Sequence, residues 1–175
     1  MRGIAACAYI TGWRTPSEIL ALEWRCVDMQ VGEVRLDAGT TKNGEARTFP
    51  FTRELRRVLD DQVKIAADLK RERGIITRAV FCYTIGQKAG QRITESGYNH
   101  AWRKARIGAG CPGRIPHDFR RTAVRNLVRA GVVERVAMQL TGHKTRAVFE
   151  RYNITSPNDL RDAARRLDAY ALGAR

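Results

Sequence analysis

The sequence predicts an α+β domain, mainly helical, with a small antiparallel β-sheet or hairpin on one edge. Several segments carry apolar residues at the three- and four-residue spacing of amphipathic helices. Between two shorter segments of strand-like composition lies Asn43-Gly44, and an Asn-Gly pair is the strongest short hairpin signal. A length of 175 residues fits one domain with a substantial core.

Two helices are predicted in the first part of the chain. The first, residues 3–10, is apolar and ends at Thr11-Gly12. The second starts at Thr15-Pro16-Ser17-Glu18, which offers a cap, a proline at the first helical position and a capping-box glutamate, and its apolar stripe continues to Trp24. Arg14 therefore precedes a helix N-terminus, where unpaired backbone N–H groups favour anions. On its own, an arginine there is more commonly a surface loop residue.

A β-hairpin is predicted next. Its strands would be residues 33–41 and 45–51, which places Lys42 at the tip, where a lysine can reach outward. A single turn lysine is more commonly just solvated. Thr52 can then cap a long amphipathic helix that runs to about residue 71, and residues 80–83 are a further strand candidate.

The C-terminal half is predicted to be helical. Apolar spacing indicates helices over residues 94–107, 116–130, 133–140 and 145–152. Taken alone, the pair joined at Gly131 also fits a DNA-reading helix-turn-helix. A last amphipathic helix, residues 157–171, would pack on its own domain or on a neighbour's.

The charge balance points to a polyanionic partner. The chain has 32 Lys and Arg against 18 Asp and Glu, a formal net charge of +14. Solubility alone needs far less, so nucleic acid is the first candidate.

The four cysteines are dispersed and form no CxxC pair, which makes a zinc ribbon unlikely and suggests a reducing, cytoplasmic setting. The apolar run of residues 4–10 is too short for an export signal, and no segment is long enough to cross a membrane.

Four residues in the second half can carry chemistry. His117 and Arg120 are three residues apart, so a helix places both on one face, where they can grip a phosphate. Such a pair alone is more commonly a basic helix face that carries a histidine. Gly142-His143 follows, and Tyr152 lies nine residues beyond His143.

This ordered set resembles the catalytic domain of the tyrosine recombinase (phage-type integrase) family. The matching segments are Thr11-Gly12-Trp13-Arg14 with Glu18, Leu20-Ala21-Leu22-Glu23-Trp24, Thr41-Lys42, His117-Asp118-Phe119-Arg120-Arg121-Thr122-Ala123, Leu140-Thr141-Gly142-His143-Lys144 and Arg151-Tyr152. The resemblance spans nearly the whole chain, and each catalytic position has the expected residue type. Arg14 and Glu18 are four residues apart, where the family's pattern has three.

The resemblance implies a reaction and a role for each residue. Tyr152 would attack a DNA phosphate and form a 3′-phosphotyrosine with a free 5′ hydroxyl, which conserves the bond energy and needs no ATP. Arg14 and Arg120 would clamp the non-bridging oxygens. Lys42 would protonate the departing 5′ oxygen, and His117 would assist proton transfer at the tyrosine.

The remaining site residues have supporting roles in this resemblance. His143 would donate a hydrogen bond to the phosphate, and Glu18 would help to order the site. Arg47, Arg121 and Lys144 are expected to contact DNA. No cofactor or metal is implied, since the three histidines do not have metal-ligand spacing on one helix.

The expected domain is a recombinase catalytic domain over residues 1–175, without the family's usual N-terminal DNA-binding domain and with a tail helix at 156–175. The expected partners are double-stranded DNA and further copies of the chain, as a tetramer in synapsis with the tail helix in trans. Two alternatives remain open: strand nicking like that of a type IB topoisomerase, and a truncated DNA-binding remnant without activity.

Overall fold

The computed structural model of the protein describes residues 1–41, 44–152 and 157–173. Its helices and strands are α1 (Arg2–Thr11), β1 (Val27–Asp28), β2 (Glu33–Leu36), β3 (Arg47–Pro50), α2 (Arg53–Arg73), α3 (Glu95–Gly108), α4 (His117–Arg129), α5 (Glu134–Thr141), α6 (Arg146–Glu150) and α7 (Pro157–Gly173). The predicted class, mainly helical with a small antiparallel sheet, is confirmed.

Side-chain caps set the start of three helices. Thr52 accepts a hydrogen bond from the backbone N–H of Leu55 and opens α2, as the sequence predicts. Thr94 and Thr145 do the same for α3 and α6. Each cap pairs one of the N–H groups that a helix start leaves without an intrahelical acceptor.

The predicted helix from residue 15 to 24 is wrong. Thr15–Ile19 forms a single π-helical turn, and Trp24–Cys26 forms a short 3₁₀ turn. Between them the chain pairs with the segment before Phe81: Trp24 N–H donates to Arg78 O at 3.0 Å, and Val80 N–H donates to Leu22 O at 3.0 Å. These tertiary bonds outweigh the local helical preference.

The sheet has three antiparallel strands in the order β1-β2-β3. Its two longer strands lie within the predicted ones but are shorter, because pairing stops at Leu36 opposite Arg47. The short strand β1 was not predicted. Residues 80–83 do not form a strand; Cys82 and Tyr83 make only isolated bridges, to Arg92 and Ala89.

The core lies where α1 packs against α2 and α4. Its largest buried side chains include Trp13, Phe81 and Tyr98, and the predicted amphipathic helix α2 contributes Leu55 and Leu59. Because α5 packs against both α4 and β3, the C-terminal end of α5 comes close to the start of α4, the end of α1 and Arg47. None of the helices in the described part of the chain has the length and apolar character that a membrane span requires.

Candidate active site

Tyr152 and His117 form the centre of the site. Tyr152 follows α6 and His117 begins α4, and their Oη and Nε2 atoms are 2.8 Å apart. Partial burial lowers the pKa of His117, and the charges of Arg120, Arg121 and Arg14 lower it further, against a smaller opposing effect of Asp118. A neutral imidazole can accept the phenol proton, so this contact has the geometry of a base on a nucleophile.

His143 lies on the other side of Tyr152, with ring centroids 5.1 Å apart. The imidazole is buried and packs edge-on against Phe149. Burial lowers its pKa to about 3, and the charges of Arg120, Arg14, Arg47 and His117 act in the same direction. The ring is therefore neutral near neutral pH.

Arg120 is held by main-chain oxygens. One guanidinium nitrogen donates to Gly12 O and to Thr141 O, both at 2.7 Å, and the residue is 3% exposed. Burial lowers the pKa of Arg120 to about 10, and the nearby charge of Arg14 adds to the effect. The neighbouring Arg121 lies outside, with its side chain 52% exposed and an ion pair to Asp118 at 3.3 Å.

Arg14 is oriented by Glu18 across the π-helical turn. The fully buried Glu18 carboxylate accepts from the Arg14 backbone N–H at 2.7 Å and from its guanidinium at 2.9 Å. A π-helical turn contains one residue more than an α-helical turn. The turn thus absorbs the extra residue between Arg14 and Glu18, and the carboxylate still returns to the arginine.

Arg47 is a second buried guanidinium at this site, after Arg120. It donates to Glu18 at 3.1 Å and to Thr141 O at 3.1 Å, and its side chain is 3% exposed. The expectation that Arg47 contacts DNA stays a prediction, since this guanidinium is bonded to Glu18 and Thr141 and does not line the cleft beside Arg14 and Arg120. Its position instead lets it hold the carboxylate that orients Arg14.

Two glycines allow these close approaches. Gly142 ends α5 with a φ of 71°, and a Cβ there would collide with the guanidinium of Arg47. Gly12 ends α1 with a φ of 67°, and a Cβ there would lie 3.0 Å from Ala123 Cβ. Both positions need the left-handed conformation and the missing side chain.

The site carries more positive than negative charge. Arg14 and Arg47 pair with the Glu18 carboxylate, and Arg120 lies nearby. Burial lowers the pKa of Arg47 and of Arg120, and repulsion from Arg14 lowers both further. An open cleft of about 390 Å³ beside them is lined in part by Arg14, His117 and Arg120. An anion bound there would relieve the repulsion.

The other predicted residues lie away from this cluster or cannot be placed. Lys144 is half exposed and pairs with Glu45 at 3.3 Å. Lys42 lies outside the described residues. No group of three or more His, Cys, Asp or Glu side chains that could hold a metal ion occurs in the described part of the chain.

The family model described as "Phage integrase family" matches residues 1–159 of the chain. The chain belongs to the phage integrase family. The resemblance inferred from the sequence motifs is thereby confirmed.

Two curated relatives are similar to this chain over most of its length. The integrase of Salmonella phage P22 is 29% identical over 97% of this chain and 43% of its own length. Tyrosine recombinase XerD of Mycobacterium tuberculosis (strain CDC 1551 / Oshkosh) is 28% identical over 92% of this chain and 50% of its own. This phage integrase family domain thus spans about half the length of these relatives.

The Tn1549 transposon integrase, solved in complex with a circular intermediate DNA, shares the fold with a TM-score of 0.71. It is 17% identical, and the match covers 94% of this chain and 57% of that one.

Sequence reasoning missed the two structural anchors of the site. The sequence assigned Thr141 no role beyond its place in the Leu-Thr-Gly-His motif. In the structure its carbonyl oxygen accepts hydrogen bonds from two arginines, and its hydroxyl lies 2.7 Å from His143. Arg47 was recognised as basic but not as buried. Its place on the inward face of a strand, next to apolar Phe49, was the available signal.

Proposed function

We propose that this domain cleaves and rejoins DNA through a covalent phosphotyrosine at Tyr152, as part of a site-specific recombinase. The observation that carries the proposal is the 2.8 Å contact between the Tyr152 hydroxyl and His117, beside the cleft that Arg14 and Arg120 line. A nucleophile, a base and two phosphate-binding cations are thus in one place.

In this reaction the Tyr152 oxygen attacks the phosphorus while its proton passes to Nε2 of His117. A bond forms between Tyr152 and the 3′ phosphate, and the bond from phosphorus to the 5′ oxygen breaks. The departing oxygen takes up a proton, which the family resemblance assigns to Lys42. Rejoining reverses these steps, with a 5′ hydroxyl as the nucleophile.

Arg14 and Arg120 would stabilise the transition state, in which charge builds on the non-bridging oxygens. Donors that are already oriented need no reorganisation during the reaction, which is where much of their catalytic effect arises. Arg120 is fixed by two carbonyls and Arg14 by a buried carboxylate. His143, whose ring packs against that of Tyr152, would form a further contact to the phosphate.

Covalent trapping tests the proposal. The protein is incubated with a pool of nicked duplexes of random sequence, so that a cleaved end cannot be rejoined, and SDS-resistant protein–DNA adducts are measured. We expect an adduct with the wild type and none with Tyr152→Phe. Tyr9→Phe is the matched control, because it removes a hydroxyl from an exposed tyrosine on α1. An adduct that survives Tyr152→Phe overturns the nucleophile assignment; DNA binding without any adduct supports the remnant alternative.

We further propose that the domain acts as a homo-oligomer, a tetramer in synapsis, with α7 docked on a neighbouring copy. Helix α7 keeps Leu160, Leu167 and Tyr170 between 65% and 77% exposed, and their spacing places them on one face. Two residues of α7 contact Arg129 of α4 in the described part of the chain: Asp159 pairs with its guanidinium and Arg166 donates to its carbonyl oxygen. Light scattering with and without DNA tests this; Leu167→Asp should abolish a DNA-dependent assembly.

The domain boundaries and location follow from the same assignment. We propose that residues 1–175 act together with a DNA-binding domain of the kind that precedes the catalytic domain in this family. We also propose a cytoplasmic location, where DNA is available and the free thiols of the four cysteines stay reduced.

A further inference from the structure

Thr141, the last residue of α5, contacts His143 through its hydroxyl and is fully buried. Its Oγ1 lies 2.7 Å from Nδ1 of His143 and 2.7 Å from the carbonyl oxygen of Ala137. A carbonyl only accepts, so the hydroxyl hydrogen is donated to Ala137. The lone pairs of Oγ1 then face Nδ1, which must carry a hydrogen to complete the second bond.

The two neutral tautomers of His143 differ in how many hydrogen bonds they allow. With the hydrogen on Nδ1, both bonds of Thr141 are made and Nε2 presents a lone pair. With the hydrogen on Nε2, the hydroxyl has to turn from Ala137 to Nδ1, and a donor N–H is left in a buried position. Nε2 is buried and has no hydrogen-bond partner among the described residues. Buried donors without an acceptor are rarer in proteins than acceptors with spare capacity, which favours the first tautomer.

We propose that Thr141 is a positioning residue that holds His143 as the Nδ1–H tautomer, so that the buried Nε2 is a proton acceptor in the DNA-free domain.

Burial and the positive charges around His143 keep its ring neutral at neutral pH, so that the ring exists as one of the two neutral tautomers. Four charged or titratable groups lower the pKa of the ring by their charge: Arg14 from the loop after α1, Arg47 from β3, and Arg120 and His117 from α4. The phenol of Tyr152, which follows α6, packs against the same ring. Together with burial, the four charged or titratable groups hold the pKa of His143 at about 3 in the DNA-free domain. A neutral ring has only one N–H, and the position of that hydrogen decides whether Nε2 can donate.

The consequence for catalysis rests on the proposed function. A lone pair on Nε2 repels a phosphate oxygen, so His143 can donate to DNA only after Nε2 takes up a proton. The phosphate charge offsets the surrounding arginines and favours that uptake. Nδ1–H remains bonded to Thr141 throughout, so the ring does not rotate. Engagement of the phosphate is therefore accompanied by the uptake of one proton from solvent.

The tautomer can be read directly from ¹⁵N NMR of the imidazole rings, because protonated and unprotonated ring nitrogens differ widely in shift. The chain has only three histidines, and single His→Gln variants assign them. In the DNA-free wild type at pH 7, we expect the protonated-type shift at Nδ1 of His143 and the unprotonated type at Nε2. His100, exposed on α3, serves as the solvent-averaged reference.

Two substitutions of Thr141 distinguish the effect of its hydroxyl from that of its branched side-chain shape. Thr141→Val keeps the branched shape but removes the acceptor, and the two nitrogens of His143 should then exchange their shifts. Thr141→Ser retains the hydroxyl and should keep the wild-type pattern. The amide spectrum shows whether each variant is folded.

An Nε2–H tautomer in the wild type, or an unchanged pattern in Thr141→Val, overturns the proposal. The wild-type result alone can do so, whatever the stability of the variants. Because the measurement uses no DNA, its failure leaves the phosphotyrosine proposal standing. Conversely, a failed adduct assay leaves the tautomer assignment intact.

Discussion

Replacing Arg47 by methionine tests whether a buried ion pair orients the arginine that we propose to bind phosphate. Methionine keeps much of the aliphatic length and removes the charge and both hydrogen bonds, to Glu18 and to Thr141 O. Glu18 then keeps only its bonds from Arg14, while its carboxylate stays fully buried. The substitution therefore leaves a buried charge with less compensation.

The size of the effect follows from that burial. Removing one partner of a buried ion pair costs about 3–5 kcal/mol in the free energy of unfolding. The two bonds from Arg14 moderate the loss, so we expect about 3 kcal/mol, the lower end of that range. For a domain of this size, each kcal/mol lowers Tm by about 2–4 °C, which gives a decrease of roughly 6–12 °C.

Urea unfolding followed by circular dichroism measures this loss, and Arg35→Met is the matched control. Arg35 lies on the adjacent strand β2 and pairs with Asp37 at 3.4 Å, but its side chain is 59% exposed. Removing an exposed ion pair changes stability by no more than about 1 kcal/mol. Equal effects of the two substitutions would refute the reasoning.

The double variant Glu18→Gln, Arg47→Met shows whether the stability lost in Arg47→Met comes from the unpaired Glu18 carboxylate. If Arg47→Met acts by leaving the Glu18 carboxylate without a partner, neutralising that carboxylate recovers part of the stability. The double variant then loses less than the sum of the two single losses. A simple sum would mean that Arg47 stabilises the domain without Glu18, through packing and its bond to Thr141 O.

Three further predictions concern the same site. Gly142→Ala should lower the free energy of unfolding by at least about 1–2 kcal/mol because of the left-handed backbone, and by more because the new Cβ displaces Arg47. Gly110→Ala, at a φ of 68° with nothing within 4 Å, isolates the backbone part. Equal losses of the two variants in urea unfolding would exclude the contact with Arg47. Between pH 6.5 and about 3 the unfolded chain protonates His143 and the folded chain does not. The contribution of the neutral ring to stability should therefore be fully present above pH 6.5 and decrease as the pH falls. His143→Gln should flatten that decrease in unfolding titrations, and an unchanged slope would contradict the buried neutral ring. DNA affinity should decrease steeply between 50 and 200 mM salt, on the order of 10³-fold for six phosphate contacts, and a flat response in anisotropy titrations would contradict phosphate binding.

The sequence predicted the helices whose signals are local. Thr52 caps α2 by its own hydroxyl, and Gly12 ends α1 because the next turn needs a left-handed residue. The stretch after Thr15 failed because Leu22 and Trp24 pair with residues 78–80, more than fifty positions away. Local propensity contains no information about such a partner.

The same distinction applies to the site. The residue types and order of Arg14, His117, Arg120, His143 and Tyr152 were available from motifs, and the structure brings these five together. The role of Arg47 was not available, because burial depends on how β3 packs against α5. The residue type alone does not show whether an arginine on a strand faces solvent or a buried carboxylate.

The two arginines of the proposed clamp differ in how sequence change would affect them. Arg120 is oriented by the main-chain oxygens of Gly12 and Thr141, and every amino acid supplies such an oxygen. Arg14 is oriented by one particular side chain, that of Glu18. Random mutation can therefore disable the Arg14 half by changing the Glu18 side chain, whereas the Arg120 half is lost only through a change that moves the main chain, such as a side chain added at Gly12. In a library of variants, mutational tolerance should be asymmetric across the clamp.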